Sequence, residues 1–176
     1  FYGNIINIIH LIHRLLGREC MNVEYINPFI EASQSVIMMM TGVKPSLGKV
    51  YIRESLFPSE NIAVIVGLTG NIRGQVVISF SKESALMIAS AMMGGMPLIE
   101  LDEISKSAIS ELANMIMGNT ATLLAGRNIG IDITPPSLLM GEKLVITPSN
   151  MQTISIPLLL NDNNTIEIDV SLEDRK

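Results

Sequence analysis

Residues 61 to 80 read NIAVIVGLTGNIRGQVVISF, two apolar, β-branched runs separated only by Thr69, Gly70 and Asn71. A connection this short joins antiparallel neighbours, because a parallel pair needs a crossover of about a dozen residues or more. The segment therefore predicts a hairpin. Further strand candidates lie in IDITPPSLLM, KLVITP, MQTISIPLLL and TIEIDVSL, the last pair joined by the turn Asn161-Asp162-Asn163-Asn164.

Three helices are expected around these strands. Asn27 can cap a helix that carries Pro28 in its first turn and ends at Gly42. Ser81 can cap a second, Lys82 to Met93, stopped by Gly94, Gly95 and Pro97. Asp102 starts the longest, which runs to about Ala125 before Gly126. Helix followed by strands thus occurs twice, from residue 27 and again from residue 102. Glu31 with Gln34 echoes Glu111 with Asn114 at an offset of 80, a weak internal repeat. The expected fold class is α+β: a largely antiparallel sheet with two long helices packed on one face, in a helix-then-strands pseudo-repeat. A parallel three-layer fold fits less well.

At 176 residues and 48 % hydrophobic content, the chain can bury one sizeable core. A net charge of −5 and 4 % aromatic residues argue against a nucleic-acid surface, which needs basic stripes and stacking rings, and leave proteins as the expected partners. The single cysteine, Cys20, has no internal disulfide partner, which points to a reducing compartment with the cytoplasm as default. The first twenty residues, FYGNIINIIHLIHRLLGREC, form an amphipathic candidate helix. They carry too many polar groups for a transmembrane segment, which needs about 20 apolar residues. Met21 opens a segment of different character and is the expected natural start. The organisation is then an N-terminal amphipathic extension over 1–20 and a single domain over 21–176.

Several apparent motifs dissolve on inspection. GLTGNIRG lacks the Gly-Lys-Ser/Thr of a phosphate loop and lies between strands. NDNNTIEIDV lacks the central glycine and closing glutamate of a calcium loop. His10 and His13 have no third ligand nearby, so no metal site is expected. No histidine follows His13, which removes Ser-His-Asp catalysis from the main body of the chain. The twelve methionines are read as core filling, with Met115, beside Asn114, as the exception.

The stretch SAISELANMIMGNTA, residues 107 to 121, carries the remaining chemistry. On a helical wheel Ser107, Glu111, Asn114 and Gly118 share a window roughly 60° wide, with Glu103 and Ala121 at its edge. Ile109, Leu112, Ile116 and Leu123 fall opposite and should form the core contact. Ile104 and Met115 flank the polar stripe, and Gly118 and Ala121 leave room for another molecule. A solvated helix face accounts for the pair Glu111 and Asn114 on spacing alone. A carboxamide, however, holds water by donating and accepting at once, and its natural task is orientation.

Ser107, three residues, Glu111, two residues and Asn114, followed by Pro135 or Pro136 after about twenty residues, resembles the signature of the CheC/CheX/FliY chemotaxis phosphatases, the proline lying one or two residues early. The segment MNVEYINPFIEA from Met21 and the order of helices and strands over residues 21 to 172 are similar to CheX-like members. The resemblance implies hydrolysis of an aspartyl phosphate on a CheY-like receiver domain. It implies no cofactor of the chain's own, because the phosphorylated partner supplies Mg2+ and a lysine. Asn114 would orient the attacking water and Glu111 would contact that lysine, with Ser107 and Gly118 in supporting places. The Glu31/Gln34 helix, with its longer amide, is expected to be inactive. The resemblance also implies a homodimer through sheet edges. The competing expectation is a non-catalytic docking module, similar to the flagellar switch proteins, whose 107–118 stripe binds a partner without turning it over.

Overall fold

The computed structural model describes residues 23–53, 57–59, 62–141, 144–146, 151–161 and 164–174. The amphipathic extension, Met21, and the middle of the 161–164 turn lie outside the described residues. The elements in chain order are α1 (Val23–Thr41), β1 (Ser46–Leu47), β2 (Tyr51–Arg53), β3 (Phe57–Ser59), β4 (Ile62–Gly70), β5 (Ile72–Phe80), α2 (Lys82–Met92), α3 (Glu103–Ala125), β6 (Ile131–Ile133), β7 (Ser137–Met140), β8 (Leu144–Ile146), β9 (Thr153–Leu159) and β10 (Thr165–Asp174).

The hairpin is present with only Asn71 between β4 and β5, and its register sets Ile62 against Phe80 and Leu68 against Gly74. Gly70 takes φ +121, a conformation that favours glycine. Asn71 fastens the tip by accepting from the Gly130 amide at 2.7 Å and donating its own amide to the Gly130 carbonyl at 2.9 Å. Two of the expected helix starts also hold. Ser81 accepts from the Ser84 amide, and Asp102 accepts from the Ser105 amide at 2.8 Å.

The first helix differs from expectation. It begins at Val23, so Asn27 is not its cap and Pro28 lies inside it. A proline there removes one intrahelical bond. Against that cost, Ile26 in the added turn is fully buried and Tyr25 packs against the core, which holds the turn in place.

The main sheet runs β1-β9-β10-β5-β4-β6, with β2 also on β9 and β7 also on β4, and each of these pairings is antiparallel. The pseudo-repeat is real and interlocked. The small strands β1 and β2 of the first half pair with β9 of the second, while β6 and β7 of the second pair with β4 of the first. β5 meets β10 in the middle, and β3 pairs with β8 as a separate two-stranded sheet. Neither half completes its own sheet, so the two fold as one unit.

Alternation along the strands decides which face is covered. Val64, Val66, Val76, Ile78, Phe80, Ile156, Ile168 and Val170 form one core with residues of all three helices, so α1, α2 and α3 lie on the same face. The opposite face carries a polar cluster that sequence inspection passed over. Arg53 pairs with Asp169 at 3.2 Å and also with Glu167, Tyr51 donates to Glu167 at 2.5 Å, and Ser155 donates to Asp169. Asp169 is 1 % exposed, and burial pushes its carboxyl up to about 6 despite Ser155 and Arg53. Burial, with help from Glu167, pushes the Tyr51 phenol up to about 12.

Candidate functional site

α3 is anchored by Ile109, Leu112, Ala113, Ile116 and Met117, all fully buried. The expected core contact at Leu123 is corrected: Leu124 is buried there and Leu123 is only half-buried. Position 123 falls within the buried arc of the wheel, at the angle of buried Ser105, so helical period does not separate it from 124; the packing at the end of α3 does. Met117 fills the core as expected. Met115 also packs against the core, but Met38, Met39, Met96 and Met140 are exposed, which corrects the expectation that the methionines fill the core.

The opposite side of α3 presents Ser107 and Glu111 exposed, with Asn114 and Gly118 half-buried. All four sequence-designated residues therefore share one accessible stripe. Asn114 donates from Nδ2 to Oε2 of Glu111 at 3.5 Å, a long contact that leaves the pair adjacent without locking it. Among the described residues this is the only side-chain hydrogen bond of Asn114, so most of its amide's hydrogen-bonding capacity is unspent. Ser107 donates to the Glu103 carbonyl at 2.8 Å, a bond within its own helix that suits a supporting position. A Cβ built on Gly118 would meet nothing within 4 Å. The surface beside Asn114 is open.

The echo on α1 has a different fate. Glu31 is exposed, but Gln34 turns its amide to donate to the Pro45 carbonyl at 3.1 Å. At the offset of 80 that superposes the two motifs, Gly118 corresponds to Met38, which is 45 % exposed. The α1 motif thus has an occupied amide and a long side chain where α3 has open space.

Pro135 is exposed and Pro136 half-buried in the β6–β7 connection, and both flanking strands pack against α3. Thr134 ties this connection to β4, accepting from the Gly67 amide at 2.9 Å and donating its own amide to the Gly67 carbonyl at 3.0 Å. Among the described residues no group of three or more His, Cys, Asp or Glu side chains is placed to hold a metal ion. No described helix is long and apolar enough to cross a membrane. A carboxylate and a carboxamide side by side on an open helix face can orient water and grip a cation.

The chain and its fold have matches among known proteins. Residues 62–159 match the family model described as chemotaxis phosphatase CheX. The CheY-P phosphatase CheX of Thermotoga maritima is 32 % identical over 153 residues, covering 87 % of this chain and 98 % of that protein. The crystal structure of a chemotaxis protein CheX from Desulfovibrio desulfuricans superposes with a TM-score of 0.78 at 25 % identity, covering 86 % of this chain and 100 % of that one. The CheX-CheY-BeF3-Mg2+ complex from Borrelia burgdorferi gives 0.73 at 29 %, covering 87 % and 100 %. With a family match over residues 62–159 and 32 % identity across 87 % of its length, the chain belongs to the CheX family of chemotaxis phosphatases.

Proposed function

We propose that this chain is a hydrolase that removes the phosphoryl group from the aspartate of a CheY-like receiver domain. The observation that carries the reading is the adjacent, accessible pair Glu111 and Asn114 on α3, beside the open surface at Gly118. The names of the Thermotoga and Borrelia relatives support the partner and the reaction. An acyl phosphate is already activated, so the hydrolase need only place water in line with the phosphorus. Asn114 does this with an amide that donates and accepts, as the water-positioning glutamine of a GTPase does. Glu111 grips a lysine of the receiver and sets the docking register. Ser107 supports the first turn of the stripe, and Gly118 lets the partner come close. Mg2+ belongs to the phosphorylated partner in this reading, and the chain contributes no metal of its own.

The reading also includes a homodimer and a cytoplasmic setting. On β7, which among the described residues pairs only with β4 in the main sheet, Leu139 and Met140 are 37 % and 45 % exposed, and this apolar edge supports pairing with a second copy. A single cysteine in the sequence supports a reducing compartment.

The test is phosphate release from a phosphorylated CheY-like receiver with Mg2+. The wild-type chain should accelerate release, and Glu111→Ala with Asn114→Ala should return it to the receiver's own rate. Activity that survives this double change but disappears on altering Glu31 and Gln34 would place the site on the wrong helix. Equal release by the wild type and by the chain with Asn114→Ala alone would leave only docking.

A further inference from the structure

Three of the exposed large hydrophobic residues lie within nine positions immediately before and at the start of α3: Met96 at 53 %, Ile99 at 91 % and Ile104 at 65 % exposure. They are held outward by the fold. Leu98 and Leu101 pack against the core on either side of Ile99, the Met96 carbonyl accepts from Ser90 Oγ at 2.6 Å, and the Asp102 cap fixes where the helix begins. Ile104 precedes Glu111 by seven residues and so lies within about 20° of it on the same side of the helix. The accessible seam is therefore Ile104, Ser107, Glu111, Asn114 and Gly118, apolar at its N-terminal end and polar where the chemistry is placed.

We infer that Ile104 and Ile99 form the apolar anchor by which the phosphorylated receiver domain docks, a role separate from the chemistry of Glu111 and Asn114; the inference rests on the function proposed above. The occupant follows from dimensions. Ile104 and Asn114 are about 15 Å apart along the helix. A standard protein interface covers about 800 Å² on each side, a patch of about 16 Å radius. A domain that brings phosphorus to Asn114 reaches Ile104 as well. Ile99 is three residues before the cap, within about 11 Å of chain from the helix start. The other end of the seam offers Gly118 and Ala121, which have little apolar area to bury. The N-terminal isoleucines are thus the part of this surface able to supply binding energy, as anchors near a catalytic contact do.

The experiment compares the full chain with its Ile99→Ser, Ile104→Ser variant, using a CheY receiver domain of the same organism phosphorylated by acetyl phosphate in Mg2+. The expected result is KM raised about tenfold or more with kcat within about twofold of wild type, the mirror image of Asn114→Ala. An unchanged KM overturns the inference, and so does a loss of kcat at constant KM. Sedimentation of both proteins identifies the remaining occupant: a lost dimer with unchanged KM assigns the patch to a second copy of the chain and overturns docking. If wild type fails to accelerate phosphate release, the proposed function fails. Calorimetric binding of the receiver loaded with BeF3 and Mg2+ then still decides the patch, about tenfold weaker binding supporting it and equal binding overturning it.

Discussion

Asn114→Gln isolates positioning from chemistry, because it keeps the same functional group and adds one methylene. The added carbon moves the amide outward by roughly 1.5 Å, the length of one carbon–carbon bond. Misplacement by about 1 Å costs on the order of 10²-fold in rate when geometry carries catalysis. The expected kcat is therefore about 10²-fold below wild type, with KM within about threefold because Glu111 and the rest of the stripe are intact. Stability should hardly move: Asn114 is half-buried and its side chain makes one long 3.5 Å contact, so the loss should stay within about 0.5 kcal/mol. The assay is phosphate release at saturating phosphorylated receiver, with a thermal melt as control. A variant that retained wild-type kcat would refute the argument, since an amide free to work from either length cannot owe its effect to placement. The pair on α1 is a natural parallel, where the longer amide of Gln34 is spent on the Pro45 carbonyl.

Gly118→Met places on α3 the residue that α1 carries at the corresponding position; the site is open, so the helix should gain about 0.5–1 kcal/mol while kcat/KM falls about tenfold or more, read by chemical denaturation and phosphate release. A parallel fall in stability would show that the glycine serves packing instead of access. Asp169 sets a pH dependence. Its folded carboxyl is raised from 3.8 to about 6, so the folded state holds its proton more tightly than the unfolded state does. The resulting stability is fully present below about 3.8 and is lost as pH rises through about 6, a swing of about 3 kcal/mol. Denaturant midpoints should therefore include a component that falls between pH 4 and pH 7, and Asp169→Asn, which can still accept from Ser155 and Arg53, should flatten it. An identical pH profile in the variant would refute this.

Much of the architecture can be read without coordinates because its signals are local. A strand pair separated by one tight turn can pair in only one direction, and Ser81 and Asp102 announce their helices through capping groups that act within three residues. The stripe Ser107, Glu111, Asn114, Gly118 follows from helical period alone once the helix is granted. Asn27-Pro28 is a good local cap signal, and only the burial of Ile26 in the shared core, among residues distant in sequence, overrides it. Leu123 and Leu124 both lie on the apolar side of the wheel, and only the packing around the end of α3 decides that 124 is the buried one.

The rest required the chain to meet itself. Arg53, Ser155 and Asp169 form one cluster across separations of 102 and 116 residues, and no spacing rule reaches that far. The occupied amide of Gln34 and the outward pinning of Ile99 between two packed leucines are likewise products of tertiary contact. Side-chain order along the sequence thus established the elements, their antiparallel sense and the chemistry displayed on α3. Which of two similar motifs stays open to a partner was settled by packing, because accessibility is a property of what surrounds a residue and not of the residue.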